Sequence, residues 1–276
     1  MKPIIYSLFY CFSEALLVSG NGHLNLLEKI FGEVNNSFYG SLPFIFLGFV
    51  IAASFAFRND IINLFKELLN IFLKIMANIS NGRKKKGRKH KILANAYSYY
   101  SISLIVLLIG FIPLHIFMLK QTIALQKLSD FSSIGFLISS LFLTIVYFFM
   151  EDKNDRKKPN FILMFILGIL AGFSVIPGIS PVLIIFCGLL LMGTGTKFAY
   201  KFSLIINMFI LLIRMIIWMV AKKAFITFSI SGFIMLILCA LVTYGAIYLF
   251  YYLCRNKKIF IIDIYIFALG LIFIIF

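Results

Sequence analysis

Apolar residues run through this chain in long blocks, and most polar positions fall between them. Runs close to the 17–25 residues that a membrane-spanning helix needs lie at Leu42–Phe57, Ile92–Ile112, Ser132–Phe149, Tyr200–Val220, Ser229–Leu253 and Ile259–Phe276. Two further apolar stretches are broken in the middle: residues 3–31 at Ser19-Gly20-Asn21-Gly22-His23, and residues 161–193 at Pro177-Gly178-Ile179-Ser180-Pro181. Each half is too short to span, so the pattern predicts two helix–loop–helix hairpins that enter a bilayer and return. Irregular backbone at membrane depth is tolerated only where protein buries it or it lines a cavity, so the two breaks point to a site. After the first span, Asn59–Ile79 carries Asp60, Lys66, Glu67 and Lys74 on an apolar background, which reads as a helix lying on the membrane surface.

Composition agrees with this pattern. Of 276 residues, 62% are hydrophobic and 13% charged, about half the charged share of a soluble domain, which is roughly 25%. Mean hydropathy is +1.03. A soluble enzyme and a disordered chain are excluded, and the fold class expected is an all-α polytopic membrane protein. The four cysteines, Cys11, Cys187, Cys239 and Cys254, lie scattered in apolar segments without metal-ligand spacing and read as small apolar residues. No cleavable signal peptide is expected, because Met1–Val18 lacks a basic start and is followed by more membrane segments.

Charge adds the orientation. The net charge of +16 comes from short basic clusters between apolar runs, the distribution of cytoplasmic membrane loops rather than of a nucleic-acid binder, so no nucleic acid is expected. The run Arg83–Lys91 is the most basic and is placed in the cytoplasm, in contact with anionic lipid headgroups. Glu151–Lys158 and Arg255–Lys258 follow at two-crossing intervals, which leaves the C-terminus external. Nineteen Lys and Arg then lie inside, six outside, and Arg214 within a span. Residues 1–158 and 159–276 each become one broken hairpin plus three spans, entering from opposite sides. That is an inverted repeat, an arrangement that puts a site near the midplane.

Few residues at this depth carry chemistry. Asp263, four residues into the last run, is expected to be wetted at the interface. Glu14 precedes the first break and His23 follows it; a carboxylate inside a membrane segment points to function, and with an imidazole it can serve as base, metal ligand or support for a nucleophile. Ser180 followed by Pro181 reads as a helix N-cap and first helical position, and a helix start offers amide donors to phosphate. Arg214, near the middle of a span, costs at least about 2.5–3.5 kcal/mol if it faces lipid. It is expected to face the interior, to snorkel, or to pair with Glu14 or a phosphate.

At the two breaks the sequence resembles the undecaprenyl-diphosphate phosphatases of bacteria, the bacitracin-resistance family. Tyr10-Cys11-Phe12-Ser13-Glu14-Ala15-Leu16-Leu17-Val18-Ser19-Gly20-Asn21-Gly22-His23-Leu24 is similar to that family's EGLTEFLPVSSxGHL motif, and Pro177-Gly178-Ile179-Ser180-Pro181-Val182-Leu183 to its PGxSRSG motif. Leu26–Lys29, Phe57–Ile61, Gly188–Gly193 and Phe202-Ser203 also look familial. The resemblance implies removal of the terminal phosphate of a polyprenyl diphosphate, regenerating the monophosphate carrier of cell-wall synthesis in a bacterial plasma membrane. It gives catalytic roles to Glu14, His23 and Ser180, and phosphate contacts to Ser19, Gly20, Asn21, Gly22, Pro177, Gly178 and Ile179, with Arg214 as an added candidate. It also implies Mg²⁺ or Ca²⁺ held through Glu14, and it leaves room for a homodimer. The departures are large. The family's first acid falls on Tyr10, its second serine on Gly20, its arginine on Pro181, the following serine on Val182 and the glycine on Leu183. Removing a clamp on a transferring phosphoryl group commonly costs about 10²–10³ in rate. Three readings follow: a phosphatase, a relative that binds or translocates the lipid diphosphate without hydrolysis, and a transporter in which Glu14 and His23 couple protons.

Overall fold

The computed structural model describes residues 2–32, 36–83, 96–125, 131–149, 159–222 and 229–275, and among them there is no strand. The basic run 84–91, the loop 151–158 and Phe276 lie outside the described residues. Among the described residues eleven α-helices follow in order: α1 Lys2–Ala15, α2 Gly20–Phe31, α3 Asn36–Ala56, α4 Arg58–Arg83, α5 Ala96–Leu125, α6 Ser132–Phe149, α7 Phe161–Gly172, α8 Pro181–Leu191, α9 Thr196–Lys222, α10 Ile230–Arg255 and α11 Phe260–Ile275. By length and composition, α5, α9 and α10 are apolar enough to cross a membrane, while α6, α7, α8 and α11 are shorter apolar helices. Large apolar side chains stay exposed along several of them, Phe148, Val220, Ile230 and Ile275 among them. So much exposed apolar surface suits lipid and not water, and the molecule is a multi-pass membrane protein.

The second expected span runs on past Pro113 to Leu125. A proline leaves one carbonyl without its helical donor, but an apolar medium offers that carbonyl nothing better outside the helix. Helices α3 and α4 meet at Phe57 with a bend of 93°, so the amphipathic segment does leave the axis of the preceding apolar helix. Asp263 is not simply wetted: its carboxylate accepts from Ser140 Oγ at 2.7 Å and Thr144 Oγ1 at 2.5 Å, tying α11 to α6.

Both broken stretches form helical hairpins. At the open end of the first, Lys2 Nζ donates to the Phe31 carbonyl at 2.5 Å, and the Tyr6 hydroxyl to that of Gly32 at 2.9 Å. Its turn lies earlier than expected, at Leu16–Ser19, because Leu17 adopts a left-handed backbone (φ 65°) and Val18 N closes onto the Ser13 carbonyl at 2.9 Å. That six-to-one bond around a left-handed residue ends a helix. Gly20, Asn21, Gly22 and His23 therefore belong to the first turn of α2, capped by Ser19. In the second hairpin, a 3₁₀ turn at Phe173–Val175 carries α7 into the loop before α8. There Ser180 is the N-cap, accepting from Leu183 N at 3.4 Å, with Pro181 the first helical residue, as its sequence requires.

Helix α1 packs on α10 and α7 on α5, while α6 lies along α11 and α3 along both α9 and α10. The core is continuous through these contacts, with Phe49, Phe111, Phe136, Phe186, Tyr200 and Phe250 almost fully buried. It holds the two hairpin turns inside the molecule.

Candidate functional site

Ser19 joins the two hairpins. Its Oγ accepts from Gly22 N at 3.2 Å within its own helix start and from Gly178 N at 3.1 Å across the interface. Both breaks in the apolar pattern therefore meet at one oxygen. Gly178 takes φ 92°, and a Cβ there would lie 2.6 Å from Phe136 N and from the Ser132 carbonyl of α6, so only glycine fits. Its own carbonyl accepts from Ser139 Oγ at 2.8 Å. Pro177 and Ile179 flank it, buried. Ser180 is fully buried and engaged in its capping bond. Asn21 is half-buried in the first turn of α2.

His23 sits on the other side of Ser19. Its Nδ1 lies 2.9 Å from the Ser19 carbonyl and its Nε2 2.6 Å from the Tyr265 hydroxyl. A neutral ring donating from Nδ1 and accepting at Nε2 satisfies both contacts. The ring also stacks on Tyr265 and meets Phe136 edge to face. The expected partnership with Glu14 takes no direct form, since both imidazole nitrogens are occupied elsewhere.

Glu14, 1% exposed, turns instead toward the start of α2 and toward α9. Its Oε1 accepts from Gly20 N and its Oε2 from Asn207 Nδ2, each at 3.2 Å. Arg214, also on α9 and buried, donates from Nη2 to Ser174 Oγ at 2.6 Å. It lies on the same face of α9 as Asn207, two turns further along the helix. Of the three orientations expected for Arg214, facing the interior is the one found. Charge of both signs is thus buried in one cluster beside the hairpin junction, linked to it through the Ser19–Gly20 peptide.

Four contributors do not stand out in the sequence: Asn207, Ser174, Ser139 and Tyr265. A signal exists for the first. Ser203, Asn207 and Arg214 recur at helical spacing along one face of an otherwise apolar helix, which marks an inward-facing stripe. Ser174 and Tyr265 have no comparable signal, because only the packing of separate elements brings them here.

The residues present do not fit the divalent cation that the resemblance implies. Among the described residues there is no group of three or more His, Cys, Asp or Glu able to hold a metal. Ca²⁺ is held by several protein oxygens, and Mg²⁺, which keeps several waters, still needs one or two carboxylates free to bind it. Here the one carboxylate, Glu14, is already hydrogen-bonded at both oxygens. Beside it, Asn207 Oδ1 is a buried oxygen without a hydrogen-bond partner, which adds a neutral acceptor and no second anion.

Known proteins are similar to this chain over most of its length. The chain is 27% identical over 213 residues to the undecaprenyl-diphosphatase of Prochlorococcus marinus (strain MIT 9301), an alignment covering 75% of this chain and 72% of that one. It is likewise 27% identical over 213 residues to the undecaprenyl-diphosphatase of Methanococcus vannielii, covering 75% and 74%. The family model described as bacitracin resistance protein BacA matches residues 4–272. With both motif-bearing hairpins and nearly the whole length inside that match, the chain belongs to the bacitracin resistance protein BacA family.

Proposed function

We propose that this protein binds polyprenyl diphosphates at the hairpin junction and hydrolyses the terminal phosphate. The oxygen of a water attacks the terminal phosphorus, the bridging P–O bond breaks, and lipid monophosphate and inorganic phosphate leave. The observation that carries the reading is the Ser19–Gly178 contact, which brings both motif loops together beside Glu14 and Arg214. In this reading Glu14 accepts the proton of the attacking water, and Arg214 takes the charge that builds on the phosphoryl oxygens. The names of the relatives agree with this substrate class.

Part of the helix pairing supports an inverted repeat: exchanging the halves turns the α1–α10 contact into α7–α5 and returns α3–α9 and α6–α11 to themselves, while the α3–α10 and α8–α9 contacts have no counterpart. In that arrangement the two hairpins are re-entrant, six helices span, and Arg83–Lys91 faces the cytoplasm against anionic headgroups.

A second reading, binding or translocation without hydrolysis, is favoured by the present contacts of the motif residues. Both amide bonds to Ser19 Oγ and both bonds to the Glu14 carboxylate are internal, and Pro181 stands where the family's clamp would be. One assay separates the two: phosphate release from farnesyl diphosphate by the purified protein, with Glu14→Gln as control. Release abolished in the variant supports hydrolysis. Binding without release assigns the second reading.

A further inference from the structure

This inference rests on the lipid-diphosphate reading. We propose that the Arg214 guanidinium takes the place of a divalent cation beside Glu14, so that this site works without bound metal. Three observations carry it. Glu14, the carboxylate of the cluster, is held at both oxygens by Gly20 and Asn207. The position where the family pattern has another acid is Tyr10, whose phenol supplies no second anionic oxygen for a cation. Arg214 is buried on the face of α9 that also carries Asn207, the residue bonded to Glu14, and donates to Ser174 in the turn before the Pro177–Gly178 loop.

These differences are mutually consistent. By the resemblance, two acids stand with one arginine and leave one net negative charge for a cation to meet, whereas here one carboxylate, Glu14, and one guanidinium, Arg214, leave none. A divalent ion brought next to that guanidinium in a low-dielectric interior would meet like charge and find one carboxylate to offset it. An anionic phosphate meets the opposite situation. A guanidinium has five N–H donors in a fixed fork that matches phosphate oxygens, and the bond to Ser174 engages only Nη2. Ser174 also sits in the 3₁₀ turn that leads into the Pro177–Gly178 loop. It thereby fixes the guanidinium toward the hairpin junction and away from lipid.

Two measurements on the full-length protein in detergent test this. The first uses metal alone: Mn²⁺ titrated into lipid-free protein and followed by electron paramagnetic resonance. No stoichiometric site tighter than about 1 mM, the weak end of protein cation sites, is expected. A stoichiometric Mn²⁺ site that disappears in Glu14→Gln overturns the proposal, whatever the protein does to lipid. The second uses farnesyl diphosphate and calorimetry. Its Kd is expected to agree within about threefold between excess chelator and excess Mg²⁺, and to weaken at least about tenfold in Arg214→Ala. Binding that requires Mg²⁺ overturns the proposal. If Arg214→Ala does not fold, Arg214→Lys retains the positive charge and should stay insensitive to chelator; acquired Mg²⁺ dependence in that variant also counts against it. Failure of farnesyl diphosphate to bind in either medium overturns the proposed function instead, and the Mn²⁺ titration then decides the cation question alone.

Discussion

By the resemblance, Tyr10 stands where the family has an acid and Pro181 where it has an arginine, and Arg214 is a buried guanidinium on the face of α9 that bonds Glu14 through Asn207. If the chain hydrolyses lipid diphosphates, Arg214 must stabilise the transition state, because helix-end amides alone hold a dianionic phosphoryl group poorly. Arg214→Ala is expected to lower kcat at least ~10-fold, equivalent to ~1.4 kcal/mol, in a phosphate-release assay. Lys201 offers the contrast. It pairs with Asp60 at 2.8 Å, a partner to which the Tyr97 hydroxyl also donates at 3.3 Å, and the pair is partly exposed. Partly exposed pairs contribute about 0–1 kcal/mol, so Lys201→Ala should leave kcat within about twofold and lower Tm only slightly. Equal losses in the two variants would mean that Arg214 acts through general stability and not on the phosphate.

Between elements, glycines permit what the side chains then exploit. A Cβ on Gly22 would fall 2.8 Å from Gly178 N and into the Phe136 ring, wedging α2 away from the opposite loop. Gly22→Ala is expected to destabilise the protein by about 1–3 kcal/mol, the usual cost of overpacking, read as a fall in Tm in detergent. Because the wedge opens at the Ser19–Gly178 contact, phosphate release should fall too, while the far-UV helical signal stays. A second tie lies between α6 and α11, where Ser140 and Thr144 both donate to Asp263. Asp263→Ala leaves two hydroxyls without their acceptor, and about 1–3 kcal/mol is expected to be lost. A Tm unchanged in Asp263→Ala would show that helix packing alone holds α6 against α11.

At the scale of the whole molecule, charge predicts the orientation. In the proposed six-span arrangement, nineteen Lys and Arg on one side against six on the other predict that Arg83–Lys91 is cytoplasmic and that Phe276 is external. Single cysteines introduced within 83–91 should resist a membrane-impermeant thiol reagent in intact cells and react after lysis, while one at 276 should react from outside. The reverse labelling pattern would invert the proposed repeat.

Much of this protein is legible in its sequence because a bilayer punishes the wrong residue locally. Long apolar runs, basic clusters and a proline or glycine break each report on their own few residues, so the helices, the two breaks and the Ser180–Pro181 helix start follow from spacing alone. Glu14 and Arg214 stand out for the same reason, since a charge at membrane depth is costly wherever it points. Their partners do not. Asn207 beside Glu14 and Ser174 beside Arg214, like Tyr265 beside His23, become partners only when the hairpins meet α9 and α11, across separations of up to 242 residues. The first turn also lies at Leu16–Ser19 and not at Ser19–His23, because glycines suggest the break while a buried leucine makes it. Leu17 is held in its left-handed backbone by burial in the core and by the Val18–Ser13 closure. Hydrophobicity along a line therefore determined which segments form apolar helices. Which polar groups share the interior was decided by packing, because a hydrogen bond between distant residues exists only once the helices carrying them have been brought together.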